Sequence, residues 1–126
     1  MSTSVRDLVA WQQAMDMVEM VYRLTAKFPR EEIYGLTSQA RRAAVSVASN
    51  IAEGQGRNSQ KEFVQFLGIA HGSLVELETQ VLIGRRLRYV EEEPTVDLLK
   101  QVERVRRLVN GLMQSFQKSK GAAGNA

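Results

Sequence analysis

The chain has 126 residues, which is the size of one domain, and its 44% hydrophobic content is ordinary for a protein with a packed core. It has no cysteine, which excludes disulfides and thiolate metal sites, and no apolar run approaches the length of a membrane span. The net charge of +3 only slightly favours an anionic partner. The first residues show no signal-peptide pattern, so we expect a cytoplasmic protein.

The first apolar stripe predicts a helix that stops at Phe28 and Pro29, because a residue before proline is disfavoured in the α region. Steps of three and four residues define its leading face: Leu8, Trp11, Met15, Val18 and Tyr22. A second set of apolar residues widens that face: Met17, Val21, Leu24 and Phe28.

The second stripe predicts a helix from about Leu36 to Glu53, ended by Gly54 in the left-handed conformation. Its apolar face is made of small and branched residues: Leu36, Ala40, Ala43, Val47 and Ile51. The same helix carries a polar stripe: Gln39, Arg42, Ser46, Asn50 and Glu53.

Two interpretations of this polar stripe stay open. It is either a solvated face or a polar seam between helices or subunits. A seam would need hydrogen-bond partners, because an unpaired buried polar group costs roughly 1–3 kcal/mol. Glu76 and Glu78 are candidate partners for Arg41 or Arg42.

The third helix has a clear start, because Ser59 and Glu62 fit a capping box. Its stripe continues towards Leu87: Phe63, Phe66, Leu67, Ala70, Leu74, Leu77 and Val81. Gly68 and Gly72 lie one turn apart, and glycine inside a helix costs about 1 kcal/mol relative to alanine. We therefore expect another helix to approach closely there, with the alanine-rich second helix as the partner.

The fourth stripe follows a break at Glu91–Pro94 and consists of branched and aromatic residues: Val96, Leu99, Val102, Val105, Val109, Leu112 and Phe116. Residues 121–126 are expected to form a disordered tail after a single domain of residues 1–120. Four amphipathic helices with short connections predict an all-α, antiparallel up-and-down four-helix bundle.

Two basic groups are candidates for nucleic-acid contact. One lies on the fourth helix: Lys100, Arg104 and Arg107. The other lies at the end of the third: Arg85, Arg86 and Arg88. The alternative is that both are simply solvated; in a ring of subunits, however, each group would be repeated and would bind polyanions more strongly.

A catalytic site is not expected. His71 is the only histidine, so it has no second histidine with which to share a metal ion. An enzyme with a carboxylate site at Glu53, Glu76 and Glu78 is the weaker alternative, because the Glu-x-x-His pairs of carboxylate-bridged metal bundles are missing. We therefore expect no catalytic residue, metal or cofactor.

Residues 39–54 and 66–80, with Trp11 and the pair Phe28 and Pro29, resemble one family closely. It comprises the four-helix-bundle proteins that were first noticed as reading frames inside intervening sequences of bacterial 23S ribosomal RNA genes, and a member can also be encoded elsewhere. The resemblance extends to about Phe116. It implies a bundle that assembles as a ring, commonly a homopentamer, and no known enzyme activity.

The chain is also similar to a basic pentameric bundle that binds a reverse transcriptase and nucleic acid. By this analogy, the polar stripe together with Gly68 and Gly72 would form contacts between subunits or helices. The resulting hypothesis is a non-enzymatic, homo-oligomeric binding or scaffold protein that contacts RNA. The alternative is an adaptor that binds a partner protein without nucleic-acid contact, and fold analogy does not decide between them.

Overall fold

The computed structural model describes the backbone of residues 4–124 and the side chains of residues 4–117. Its four long helices are α1 (Val9–Thr25), α2 (Leu36–Gln55), α3 (Gln60–Arg86) and α4 (Glu92–Gly124). Two one-turn 3-10 helices, Val5–Asp7 and Arg30–Glu32, precede α1 and α2. Each long helix packs against two others, in the circular order α1, α2, α3, α4. Over these residues the chain is the predicted antiparallel up-and-down four-helix bundle.

One apolar core runs the length of the bundle. Its largest fully buried side chains come from all four helices: Met17, Val21, Val47, Ile51, Leu67, Leu74, Leu77, Val81, Leu98, Val102, Val105 and Val109. α2 adds small buried residues, including Ala40, Ala44 and Ala48, which let it pack closely, and α2 with α3 forms the most extensive helix pair.

The rotation of α1 differs from the prediction. Its buried line passes through Ala10, Ala14 and Met17 and continues to Val21 and Leu24. The predicted leading face is half in solvent, with Met15 and Tyr22 each 41% exposed. Apolar side chains cover more than half of the surface of α1, so periodicity alone does not determine which face is buried. The face with the small alanines is buried because it allows the closest approach to the neighbouring helices.

α1 also ends earlier than predicted, at Thr25. Two turn bonds follow, from the Lys27 N–H to the Leu24 carbonyl at 3.1 Å and from the Phe28 N–H to the Thr25 carbonyl at 3.0 Å. They turn the chain so that the Phe28 ring is buried against Gly84 of α3. A Cβ on Gly84 would lie 2.6 Å from Phe28 Cζ, so this position requires glycine for close approach.

The turn between α2 and α3 corrects the predicted role of Gly54. α2 continues to Gln55, and no glycine with a described backbone has a positive φ. Gly54 is instead buried under the next helix, where an added Cβ would lie 2.9 Å from Phe63 Cδ1. The predicted cap of α3 is confirmed, because Ser59 Oγ accepts the Glu62 N–H at 3.2 Å.

α3 ends in a Schellman motif built around Arg88, whose φ is 63°. The Tyr89 N–H donates to the Gly84 carbonyl and the Arg88 N–H to the Arg85 carbonyl, both at 3.0 Å. Arginine thus occupies the left-handed position that glycine usually fills.

A side-chain clasp joins the two loops at this end of the bundle. Glu32 Oε2 accepts the Tyr89 hydroxyl at 2.9 Å, and Glu32 Oε1 accepts the Leu36 N–H at 3.2 Å. The hydrogen bond to Glu32 raises the pKa of the Tyr89 hydroxyl. Glu32 therefore caps α2 and holds the α1–α2 loop against the α3–α4 turn.

α4 begins at Glu92, with Pro94 in its first turn, where the missing N–H costs nothing. Val102, Val105 and Val109 are buried as predicted, and only the start of the predicted stripe is wrong, because Leu98 is buried and Val96 is 40% exposed. The helix is described as far as Gly124, beyond the predicted boundary at residue 120, and Ala122 and Ala123 favour that continuation. Residues 125 and 126 of the predicted tail lie outside the described residues.

Candidate nucleic-acid and subunit interfaces

The three basic residues predicted on the fourth helix lie on its solvent side. Lys100, Arg104 and Arg107 are all exposed and follow one another at spacings of four and three, which places them on one helix face. We call these three residues the basic ridge. They line a shallow depression together with one acidic and three apolar residues: Val96, Leu99, Glu103 and Leu108.

One anion, Glu103, lies beside the basic ridge. It accepts hydrogen bonds from Arg106 and, at 3.2 Å, from Arg107. The bond from Arg106 lowers the pKa of Glu103 to about 2 in spite of its partial burial. Arg107 nevertheless keeps 75% of its side chain exposed, and among the described side chains Arg104 bonds to Gln13 of α1 alone, at 3.5 Å.

The second basic group does not extend the ridge. Arg86 and Arg88 are exposed, but Arg85 is half-buried and donates to the Val90 carbonyl at 3.3 Å, which ties it to the turn. The exposed acidic start of α4 comes next along the chain and shares a depression with Lys100: Glu91, Glu92, Glu93 and Asp97. The two predicted groups are therefore separated by negative charge.

The polar stripe of α2 is partly seam and partly solvated face. Its middle lies against α3, where Ser46 Oγ and Ser73 Oγ are 2.9 Å apart and Asn50 donates to the Ser46 carbonyl at 2.8 Å. The ends of the stripe are exposed: Gln39, Arg42 and Glu53. Each of the two interpretations thus holds for part of the helix.

A polar depression of about 510 Å³ opens between α2 and α3 at this seam. Gln39, Arg42 and Ser46 line one side, and residues of α3 line the other: Ser73, Glu76 and Gln80. The Gln80 side-chain oxygen is buried with no hydrogen-bond partner among the described residues. Sequence reasoning missed Gln80, although its spacing of four from Glu76 was the available signal.

The predicted pairing of Arg41 or Arg42 with Glu76 or Glu78 is not formed within the described side chains. Arg41 turns towards α1 instead, where it donates to Thr25 Oγ1 at 2.9 Å and lies over the Tyr22 ring, 4.5 Å from its centroid. This cation–π contact is an alternative to the predicted ion pair.

The weaker carboxylate-site alternative is not supported by the geometry. Glu53 binds Arg57 at 2.6 Å, and Glu78 acts electrostatically on Arg106 of α4, so these two carboxylates face different neighbours. Across residues 4–117, no three histidine, cysteine, aspartate or glutamate side chains are grouped so that they could hold a metal ion. His71 is half-buried on α3.

The predicted close approach of α2 to Gly68 and Gly72 is wrong. Both glycines are exposed, and a Cβ added to either would meet nothing within 4 Å, because α2 packs on another side of α3. They lie among exposed apolar residues of the same helix: Ile69 (52%), Val75 (53%), Leu82 (42%) and Ile83 (41%). We call these six residues the α3 face. A second helix would have to come from another molecule.

None of the helices in the described part of the chain is both long enough and apolar enough to span a membrane.

The chain is similar to a crystal structure of a protein of unknown function from the S23 ribosomal protein family of Bacteroides thetaiotaomicron. The two superpose with a TM-score of 0.75 at 18% identity, over 83% of this chain and 98% of that one, which shows a shared fold. No curated protein matches the chain. A sequence model of the 23S rRNA-intervening sequence proteins matches residues 6–111, so the chain belongs to the 23S rRNA-intervening sequence protein family.

Proposed function

We propose that the protein is a non-enzymatic, cytoplasmic scaffold that assembles with copies of itself into a ring, with five subunits as the expected number, and binds structured RNA through the basic ridge. The proposal of RNA binding rests on the exposure of Lys100, Arg104 and Arg107 along one face of a helix. A helix holds such cations at fixed spacing, which suits contact with the phosphates of a duplex by shape and charge.

The α3 face supports the self-association. Several large apolar side chains exposed on one side of a helix are candidates for an interaction site. Gly68 and Gly72 lack side chains at its N-terminal end, which permits the backbone of an incoming helix to approach closely there. The neighbouring polar depression, with its unpartnered Gln80 oxygen, would gain a donor from the same incoming surface.

Assembly also explains how subunits of modest net charge can bind RNA. A single chain carries a net charge of +3, and Glu103 neutralises part of its ridge. A ring repeats the ridge in every subunit, and linked sites gain about 10²- to 10⁴-fold in overall affinity when they bind together.

The test is the binding of nuclease-treated protein to a fluorescent RNA duplex over a salt series. We expect affinity near physiological salt that falls steeply as salt rises, because phosphate contacts release counterions. The double variant K100E/R107E should lose binding; Arg104 is left in place because it bonds to Gln13.

The control is R6E/K61E, which makes the same change of charge at two exposed residues away from the ridge and should keep most of the affinity. Equal losses for both variants would show that only net charge matters. No binding near physiological salt by an intact assembly would favour the adaptor alternative, in which the ring holds a partner protein.

A further inference from the structure

A groove of about 610 Å³ runs between the second half of α1 and the start of α4. Its floor is largely apolar: Met20, Leu24, Tyr89, Val90, Pro94 and Leu98. Its rim has two cations on the α1 side, Arg23 and Lys27. Two anions, Glu91 and Asp97, lie on the α4 side. This volume lies within the range that encloses a small ligand or a pair of large side chains.

The α1–α2 loop at the same end of the bundle presents two apolar residues to solvent. Tyr34 is 95% exposed and Ile33 is 53% exposed. The loop is held in place, because Glu32 bonds to Tyr89 and to the Leu36 N–H. Tyr34 thus stays outside its own groove and is preorganised to anchor elsewhere, which lowers the entropic cost of docking.

The positions of the two features fit a rotational assembly. The groove lies between α1 and α4, while Tyr34 lies in the α1–α2 loop, two residues before α2 begins at Leu36, at the same end of the bundle. Subunits related by rotation about an axis along the bundle keep the same height, so a feature at one end meets a feature at that same end of the next copy.

We propose that Ile33 and Tyr34 of one subunit insert into this groove of the next subunit. The charges beside the two anchors are complementary to the rim, since Arg30 can pair with Glu91 or Asp97, and Glu31 with Arg23 or Lys27. The inference rests on the self-association proposed above and assigns the surfaces that meet. It is a head-to-tail contact, which closes a ring only if the rotation is correct.

Disulfide trapping tests the contact cleanly, because the chain has no cysteine of its own. The variants Ile33→Cys and Asp97→Cys each carry one thiol and are co-expressed, so that mixed assemblies form. Oxidation should give a covalent dimer of twice the 14.1 kDa chain mass in the mixture, and none with either variant alone. Ile33→Cys with Gly111→Cys, on α4 far from the groove, is the negative control.

A second readout is Tyr34→Ala, which removes an exposed side chain and should leave the helical fold unchanged. It should raise the concentration at which the assembly dissociates at least about tenfold, as expected for an interface anchor. An assembly that is intact but gives no Ile33–Asp97 disulfide and tolerates Tyr34→Ala would overturn this contact alone. A wild-type protein that is monomeric by light scattering would overturn the self-association as well.

Discussion

The backbone of Arg88 has a strained conformation that its side chain does not explain. Its φ of 63° is the only positive value on a non-glycine residue among those described. The left-handed conformation costs an L-residue roughly 1–2 kcal/mol, and glycine avoids that cost. The Schellman bonds around it use backbone atoms alone, so they would survive a change of side chain.

We therefore predict that Arg88→Gly raises the free energy of unfolding by about 1 kcal/mol. Arg86→Gly, placed inside the last turn of α3, should instead lower it by about 1 kcal/mol. Urea denaturation followed by circular dichroism measures both. Destabilisation by Arg88→Gly would mean that contacts of the arginine side chain outweigh the backbone strain.

Gly84 is constrained by the space around it and not by its backbone conformation, so replacing this glycine should have the opposite effect on stability. We predict that Gly84→Ala lowers the free energy of unfolding by about 1–3 kcal/mol, since the new methyl group would displace the Phe28 ring. Gly111→Ala is the matched control: its Cβ meets nothing within 4 Å, so it should stabilise the helix by up to about 1 kcal/mol. Equal effects in the same denaturation assay would contradict this account of the packing.

These residues show where sequence reasoning succeeded and where it failed. The Ser59 cap was predictable because its acceptor and donor lie three residues apart. The contact of Phe28 with Gly84 was not, because it joins residues distant in the chain that meet only after folding. Gly54 was misassigned for the same reason: a glycine near a helix end suggests a cap, and the approach of Phe63 cannot be read locally.

At the scale of the helix, periodicity predicted which segments are helical more reliably than it predicted their rotation. The buried faces of α2 and α3 were predicted correctly from Ala40 to Ile51 and from Leu67 to Val81. α1 has apolar residues around more than half of its circumference, so several stripes fit. In α4 only Val96 of the predicted stripe does not pack against the core. At the start of α4, Leu98 is buried in the core and Val96 is exposed.

The charge pattern of α4 predicts an acid-sensitive contribution to stability. The pKa of Glu103 is lowered from its ordinary 4.5 to about 2, first by the hydrogen bond from Arg106. A lowered carboxyl pKa stabilises the fold fully above 4.5, and that contribution is lost as the pH falls from 4.5 towards 2. Thermal unfolding at pH 7 and at pH 2.5 should therefore show a smaller acid-induced decrease of Tm in Glu103→Gln than in the wild type.

Glu19→Gln is the control, because Glu19 is exposed on α1 and has no ion pair within the described side chains. It should keep the wild-type decrease in Tm. If Glu103→Gln behaves like the wild type, the three-residue cluster of Glu103, Arg106 and Arg107 does not stabilise the fold, as is common for exposed ion pairs.

At the scale of the whole molecule, the bundle was predictable, because four amphipathic segments with short connections have few other ways to bury their apolar faces. The basic ridge was also placed on the correct side of α4, since its residues share one face. The separation of Arg86 and Arg88 from that ridge, and the exposure of Gly68 and Gly72, depend on how the helices are rotated. These features became visible only in three dimensions.

The α3 face leads to the central prediction for the assembly. Gly72→Leu should fit within one subunit, because its Cβ meets nothing there, yet it should block the approach of a neighbouring helix. Gly111→Leu makes the same substitution at an equally open glycine on α4 and should leave the assembly intact. Both variants should keep wild-type helicity by circular dichroism.

The most direct test is the solution mass of these three proteins by light scattering. We expect a multiple of 14.1 kDa for the wild type and Gly111→Leu, and a loss of that mass in Gly72→Leu with its helicity unchanged. A wild-type mass of one chain at every concentration would contradict the self-associating scaffold. A full-size assembly of Gly72→Leu would show that subunits meet through a surface other than the α3 face.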